Sequence, residues 1–251
     1  MSRLFWLSDE AWAAIEPHLP QNQPGARRVN DRRVISGIIH MLKCGGRWVD
    51  CPVEYGPATT VYNRWNRWSR RGIWARILAA LTEQGWIAET AQIDSSYIKA
   101  HRCAGGGKGG PKANAIGISR GGRTTKVHAL VDVLGRPLRL ILTPGNASDM
   151  TGADLLITHT MGMKRLIADR GYDANRLRTT LRSQNTIPVI PGRKNRKRII
   201  RYDEKRYKDR WRVEATFCRL KDFRRVATRY DKLARNYLSA VMLAAAVAYW
   251  L

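Results

Sequence analysis

Apolar positions recur at helical spacing through the first third of the chain. Trp12, Ile15 and Leu19 follow Ser8-Asp9-Glu10, and Pro20 stops the run. Asn30 or Asp31 caps a second helix, with Val34, Ile35, Ile38, Ile39, Met41 and Leu42 inward and Cys44-Gly45-Gly46 at its end. After a linker over 21–29 and an irregular, turn-rich stretch over 48–56, a third helix starts at Pro57 and turns Val61, Trp65 and Trp68 inward. A fourth covers residues 73–84. From about residue 90 the period shortens to the alternation of strands. Five are expected: 91–98, a hairpin of 126–132 and 137–142 around Gly135, 165–169, and 187–190, placed on an edge by Pro188. Helices are expected over 149–160, 174–183, 207–225 and from about 232. The order is three strands, helix, strand, helix, strand, helix. It predicts an α/β fold: a mixed five-stranded sheet with helices on both faces and its first and fourth strands adjacent. The change of period at residue 88 divides a helical region, 1–88, from an α/β domain, 89–251.

Charge narrows the partner. The net charge of +25 rises along the chain, +4 over residues 1–90, +8 over 91–180 and +13 over 181–251. A polyanion follows, nucleic acid before acidic membrane, and the excess of Arg over Lys favours bidentate phosphate contacts. On the third helix Arg64, Arg67, Arg70 and Arg71 line the face away from the apolar one. A short helix, a turn and a basic helix suggest a helix-turn-helix that touches DNA, with a plain helical bundle of basic surface as the alternative. Residues 104–123 read as a floppy basic loop near a phosphate backbone. Its GGGKGG is not a Walker loop, because Arg102 and Gly109 stand where Gly and Ser or Thr belong. Residues 192–201 read as a basic, mobile tract.

Cys44, Cys51, Cys103 and Cys218 make no CxxC pair, and acidic residues within the first twenty argue against a signal peptide. Reduced thiols in a cytoplasmic protein are the expectation. His40, Cys44 and Cys51 lack a fourth ligand at zinc-finger spacing. The apolar run 237–251 is too short for a bilayer and reads as a buried closing helix.

The chemistry centres on residues 207–225, read as one long helix with Asp203 upstream as its cap. At about 100° per residue, Tyr207, Arg210, Glu214 and Lys221 fall within roughly 60° of one another. Val213, Phe217 and Leu220 form a separate apolar stripe. Two readings of Glu214 stand side by side. It is an i,i+4 partner of Arg210 on a solvated surface, or a metal-binding carboxylate among phosphate-binding side chains. The second needs partners. Asp94 lies on the first strand and Asp169 at the end of the fourth, so adjacency of those strands brings them to one edge, under Glu214. Three carboxylates would repel unless they hold cations. Two Mg²⁺ ions roughly 3.5–4 Å apart, with Mn²⁺ able to substitute, explain such a cluster.

These residues carry a resemblance. Tyr207, Arg210, Glu214 and Lys221 stand at the spacings of the signature of DDE transposases of bacterial insertion sequences, in the insertion-sequence four/five group. Ile93-Asp94-Ser95-Ser96 and Ala168-Asp169-Arg170-Gly171-Tyr172-Asp173 resemble the same family, and the likeness spans nearly the whole chain. It implies a ribonuclease-H-like catalytic fold with Asp94, Asp169 and Glu214 as the metal-binding triad. It implies that Tyr207, Arg210 and Lys221 contact the phosphates and bases of the transposon end. Hydrolysis at the ends and attack of the freed 3′-hydroxyls on target DNA would follow, with double-stranded terminal repeats and target as partners, a homodimer on DNA, and no further cofactor or membrane. One departure is that only 44 residues separate Asp169 from Glu214, too few for the β-rich insertion some relatives carry. A metal-dependent nuclease without strand transfer and a basic DNA-binding protein with salt-bridged carboxylates stay open as alternatives.

Overall fold

In the computed structural model, which describes residues 4–21, 30–83, 85, 89–158 and 162–251, four helices come first. α1 (Asp9–Ile15) starts where Ser8 Oγ accepts from the Ala11 N–H at 3.1 Å. Pro17 then tightens the chain into a 3-10 turn over Glu16–His18, so the regular helix is shorter than expected. α2 (Asp31–Cys44) is capped by Asn30 and ends at Gly45, whose φ of 79° is the left-handed turn that glycine supplies without strain. α3 (Ala58–Arg70) and α4 (Ile73–Glu83) follow. Residues 45–57 join α2 to α3 through two 3-10 turns, over Trp48–Asp50 and Val53–Tyr55. This connection is far longer than the three- or four-residue turn of a helix-turn-helix, whereas only Arg71 and Gly72 separate α3 from α4. The linker expected over 21–29 lies, but for Gln21, outside the described residues.

The remaining elements are β1 (Thr90–Ala100), α5 (Gly110–Ala113), β2 (Gly117–Ser119), β3 (Gly122–Val131), β4 (Pro137–Pro144), α6 (Asp149–Ile157), β5 (Arg165–Ile167), α7 (Asn175–Ser183), β6 (Ile187–Val189), α8 (Glu204–Tyr207), α9 (Trp211–Lys221), α10 (Arg224–Ala227), β7 (Thr228–Arg229) and α11 (Ala234–Tyr249). The five expected strands form a mixed, ribonuclease-H-like sheet in the order β4-β3-β1-β5-β6, with β1 and β5 parallel neighbours and β6 on the edge. Two short strands that the sequence reading missed make it seven. β2 pairs with the start of β3, and β7 with the end of β1.

Two further expectations are corrected. Residues 104–123 are not floppy. Asn114 Nδ2 donates to the Lys108 and Gly110 carbonyls, both at 2.9 Å, and its Oδ1 accepts from the Ala234 N–H at 3.2 Å. Ala104 and Ile116 are buried beneath. Residues 207–225 are not one helix. A 3-10 turn over Lys208–Arg210 separates α8 from α9, and the chain leaves helical geometry at Phe223.

Each face of the sheet buries its own cluster. On one face Ala91, Ile93 and Leu130 meet Leu156 and Ile157 of α6 and Leu177 and Leu181 of α7. On the other, Ile98, Val127 and Ala129 meet Val213, Phe217 and Leu220 of α9 and the small residues of α11. Ile38, Trp65 and Trp74 of the first four helices join this second cluster, so the N-terminal helices share one core with α9–α11. Such continuity keeps α9 fixed against β1.

Candidate active site

The parallel ladder of β1 and β5 pairs Ala91 with Leu166 and Gln92 with Ile167. Two residues further on, the same register sets Asp94 beside Asp169. There the chains part. Asp169 caps a 3-10 turn over Arg170–Tyr172, its Oδ1 accepting from the Gly171 N–H at 2.8 Å. A Cβ at Gly171 would come within 2.9 Å of that oxygen, which is why this turn takes glycine. Asp94 Oδ1 accepts from the Ser95 N–H at 2.8 Å.

α9 lies across this edge because its buried stripe faces β1. Two polar contacts fix its register. The Val213 N–H donates to Oε1 of the buried Gln92 at 3.3 Å, and Thr216 Oγ1 donates to the Gly135 carbonyl at 2.6 Å. Glu214 is left half-exposed above Asp94. Arg210 connects the two. Its guanidinium donates to Asp94 Oδ2 at 2.6 Å and to Glu214 Oε1. The i,i+4 pair considered from the sequence therefore exists, and it is tied to the carboxylate on β1. Lys221 Nζ donates to Ser96 Oγ at 2.8 Å, two residues from Asp94. Tyr207 packs edge-on to Tyr202, with ring centroids 5.4 Å apart.

Burial raises the Asp94 carboxyl to about 6, against the pull of Arg210 and with the charges of Asp169 and Glu214 adding to the rise. Burial works against charge on Arg210 as well, but Asp94 and Glu214 outweigh it and raise its pKa. Burial also raises the Tyr207 phenol; Arg210 opposes this and Asp169 adds to it, which places Tyr207 in the same field. The cluster thus holds more negative charge than its burial favours.

Among the described residues, no three carboxylate, imidazole or thiol groups stand as a preformed metal cage. The guanidinium of Arg210 occupies the place between Asp94 and Glu214. Oxygen-only donors suit a hard divalent ion, and a cation already bridging two of them stands in for that charge. The donor set of Asp94, Asp169 and Glu214 fits such an ion.

A polar layer behind Asp94 escaped the sequence reading. Ser95 Oγ donates to Asp149 Oδ1 at 2.6 Å, and the buried Lys126 donates to the same oxygen at 2.9 Å and to the Ala147 carbonyl at 2.8 Å. Burial opposes the Asp149 charge, yet Ser95 and Lys126 hold its pKa below the ordinary value. From the sequence Asp149 was legible only as a helix start, and its partners follow from strand register. Asp173 anchors the next segment. It receives Arg178 and Arg196, so Arg193 and Arg196 of the tract expected to be mobile are tied down.

On α3, Arg67, Arg70 and Arg71 are exposed, as their alternation with tryptophan predicts. Arg64 is not. It is buried, paired with Asp31 and stacked on Trp68 at 4.9 Å, so it belongs to the core contacts and not to the basic surface.

Two family models match. One, described as "Putative transposase of IS4/5 family (DUF4096)", covers residues 7–78, and the other, "Transposase DDE domain", covers residues 88–251. The protein described as "Putative transposase for insertion sequence element IS6501" of Brucella ovis is 39% identical over 132 residues, 51% of this chain and 98% of that one. A counterpart described for element IS402 of Burkholderia cepacia is 32% identical over 153 residues, 57% of this chain and 70% of that one. A solved piggyBac transposase complex with hairpin DNA is similar at a TM-score of 0.42 and 13% identity, over 76% of this chain and about half, 48%, of that one. The carboxylate-bearing part of the chain, residues 88–251, is thus matched by the domain model, and the chain belongs to the DDE transposases of the IS4/5 insertion-sequence group.

Proposed function

We propose that Asp94, Asp169 and Glu214 form the catalytic triad with which this transposase cuts the ends of its element and joins the 3′-hydroxyls to target DNA. A divalent ion bound there, Mg²⁺ as a pair of ions with Mn²⁺ as a substitute, would supply an activated oxygen nucleophile and a stabilised leaving oxygen. The chain supplies the placement. Register fixes Asp94 beside Asp169, and the buried contacts of Gln92 and Thr216 fix Glu214 over them. Arg210 presents a planar fork matched to a phosphate, and Lys221 and Tyr207 flank it on the same side. Together they hold the scissile strand of the terminal repeat. Arg67, Arg70 and Arg71 of the helical region, residues 1–88, extend the basic surface to flanking duplex and add salt-dependent affinity. Joining two ends in one event calls for a homodimer on the DNA. No described helix is long and apolar enough to cross a membrane. The chromosome in the cytoplasm is the site of action.

The observation that carries this reading is the pairing of Asp94 and Glu214 through one guanidinium, 116 residues apart in sequence for Asp94 and Arg210. Labelled element ends, incubated with Mg²⁺ or EDTA, test it. The wild type nicks the end and joins it to a plasmid with Mg²⁺ alone, and Glu214→Gln binds the end without cutting. Equal behaviour of the two proteins would sink the assignment.

A further inference from the structure

We propose that a cleft behind the triad takes one unpaired nucleotide of the strand being cut or joined. The inference rests on the triad assignment above and adds a subsite to it. The cavity has a volume of about 640 Å³ and is lined by Tyr97, Lys99, Ser119, Arg120, Thr124 and Asn146, among others. That volume falls in the usual range for small-ligand sites, roughly 300–1,000 Å³. A cleft of that size has room for a single nucleotide.

The cleft is built, not left over. Its floor depends on two close backbone approaches. A Cβ at Gly145 would come within 1.9 Å of Thr124 Oγ1, and one at Gly117 within 2.1 Å of Asn146 Oδ1. The hydroxyls satisfy one another. Thr124 Oγ1 donates to Ser119 Oγ at 3.0 Å, and Ser119 Oγ accepts from the Gly121 N–H at 3.2 Å, which holds the turn carrying Arg120. Tyr97 is held from below by the buried Lys126 ammonium, 4.7 Å from the ring centroid, while 54% of the residue remains exposed. An immobilised aromatic face with Lys99 and Arg120 beside it is the combination that stacks a base and meets its phosphate.

The cleft is also near the triad. Tyr97 stands three residues after Asp94 on β1, about 10 Å along the strand, and on its opposite face. On the edge away from β3, β5 pairs with β1 only as far as Gln92, and β7 begins only at Lys99. Residues 93–98 therefore have no strand partner there among the described residues. The buried Tyr172 fills the start of this edge beside Ser95, so a single strand leaving Asp94 would pass along residues 96–98 to reach Tyr97. Ser95, next to Asp94, is held by Asp149.

The protein is titrated with a blunt element end and with the same end carrying a short single-stranded tail at the cut site, bearing 2-aminopurine. In wild type the tail strengthens binding and 2-aminopurine is quenched by stacking. In Tyr97→Ala the tailed end binds roughly tenfold or more weaker and quenching is lost. In the same variant the blunt end binds as in wild type, and Tyr97→Phe keeps both effects. Arg120→Ala weakens the tailed end and leaves quenching. Wild type that ignores the tail, or Tyr97→Ala that weakens both ends alike, overturns the subsite. Cleavage measured on the same preparations separates the two claims. Metal-dependent cutting without a tail effect defeats the subsite alone, and absence of cutting in wild type defeats the triad reading.

Discussion

Asp173→Asn tests whether the segment after the triad is held by one buried charge. The Asp173 carboxylate is fully buried and accepts four hydrogen bonds, from Arg178 Nε at 2.8 Å, the Arg193 N–H at 2.8 Å, and Arg196 Nε and Nη2 at 2.5 and 2.7 Å. Asparagine keeps the shape, removes the charge and turns one acceptor into a donor. Arg178, which is 3% exposed, then stays buried with only the Ile190 carbonyl as partner. Breaking a buried pair from one side costs about 3–5 kcal/mol. For a domain of this size that lowers Tm by roughly 6–20 °C. Burial opposes the Asp173 charge, but the hydrogen bonds from Arg196, the Arg193 N–H and Arg178 hold its pKa well below the carboxylate range. A depressed folded pKa contributes stability that is complete above the unfolded value near 3.9 and is lost as pH falls through that window. Urea unfolding followed by circular dichroism should therefore give a constant difference between wild type and mutant from pH 5 to 8, narrowed by about 1 kcal/mol at pH 3. A loss under about 1 kcal/mol at pH 7, or a difference that does not narrow in acid, refutes the anchor. The turn over Arg170–Tyr172 hangs between Asp169 and this anchor, so cleavage should fall with stability.

Two other substitutions separate roles that look alike in sequence. Arg64→Ala breaks a buried pair with Asp31 and should cost several kcal/mol of stability, on the order of the 3–5 kcal/mol for such pairs, whereas Arg67→Ala and Arg70→Ala each change it by less than about 0.5 kcal/mol. In DNA titrations across salt the latter two should flatten the slope; unfolding curves that rank the three arginines equally would refute the distinction. Arg210→Ala removes the cation between Asp94 and Glu214, so Mg²⁺ should raise its Tm by more than that of wild type. Equal shifts would mean that the guanidinium and the ion do not compete for one place.

Much of this site was legible because it depends on spacing along single elements. Tyr207, Arg210, Glu214 and Lys221 share a helical face whatever the tertiary fold does, and the change from a period near 3.6 to one near 2 located β1 with Asp94 on it. The short 3-10 turn over Lys208–Arg210 shifts that face slightly without dispersing it. What stayed hidden depends on pairing between elements. Arg64 stands at helical spacing with Val61 and Trp68 and Arg67 does not, a local signal that the sequence reading passed over; what satisfies the buried Arg64 is Asp31, 33 residues away on α2. Nothing local distinguishes Lys126 from a surface lysine. Its burial follows from the antiparallel register that sets Tyr97 opposite it, and from the turn before α6 that brings the Ala147 carbonyl and Asp149 to its ammonium. β2 and β7 were missed for the same reason, being three and two residues long and specified by their partners. The basic tracts were misjudged because charge was read as solvation. Arg196 is instead a counter-ion of one buried aspartate, and the backbone N–H of Arg193 donates to the same carboxylate. In a chain of net charge +25, cations exceed anions so far that buried carboxylates decide which arginines are structural. Asp31, Asp94 and Asp173 each fix an arginine in this way. Of the three, only Asp94 shares its arginine with a second, half-exposed carboxylate, Glu214, and that arrangement leaves its cation replaceable.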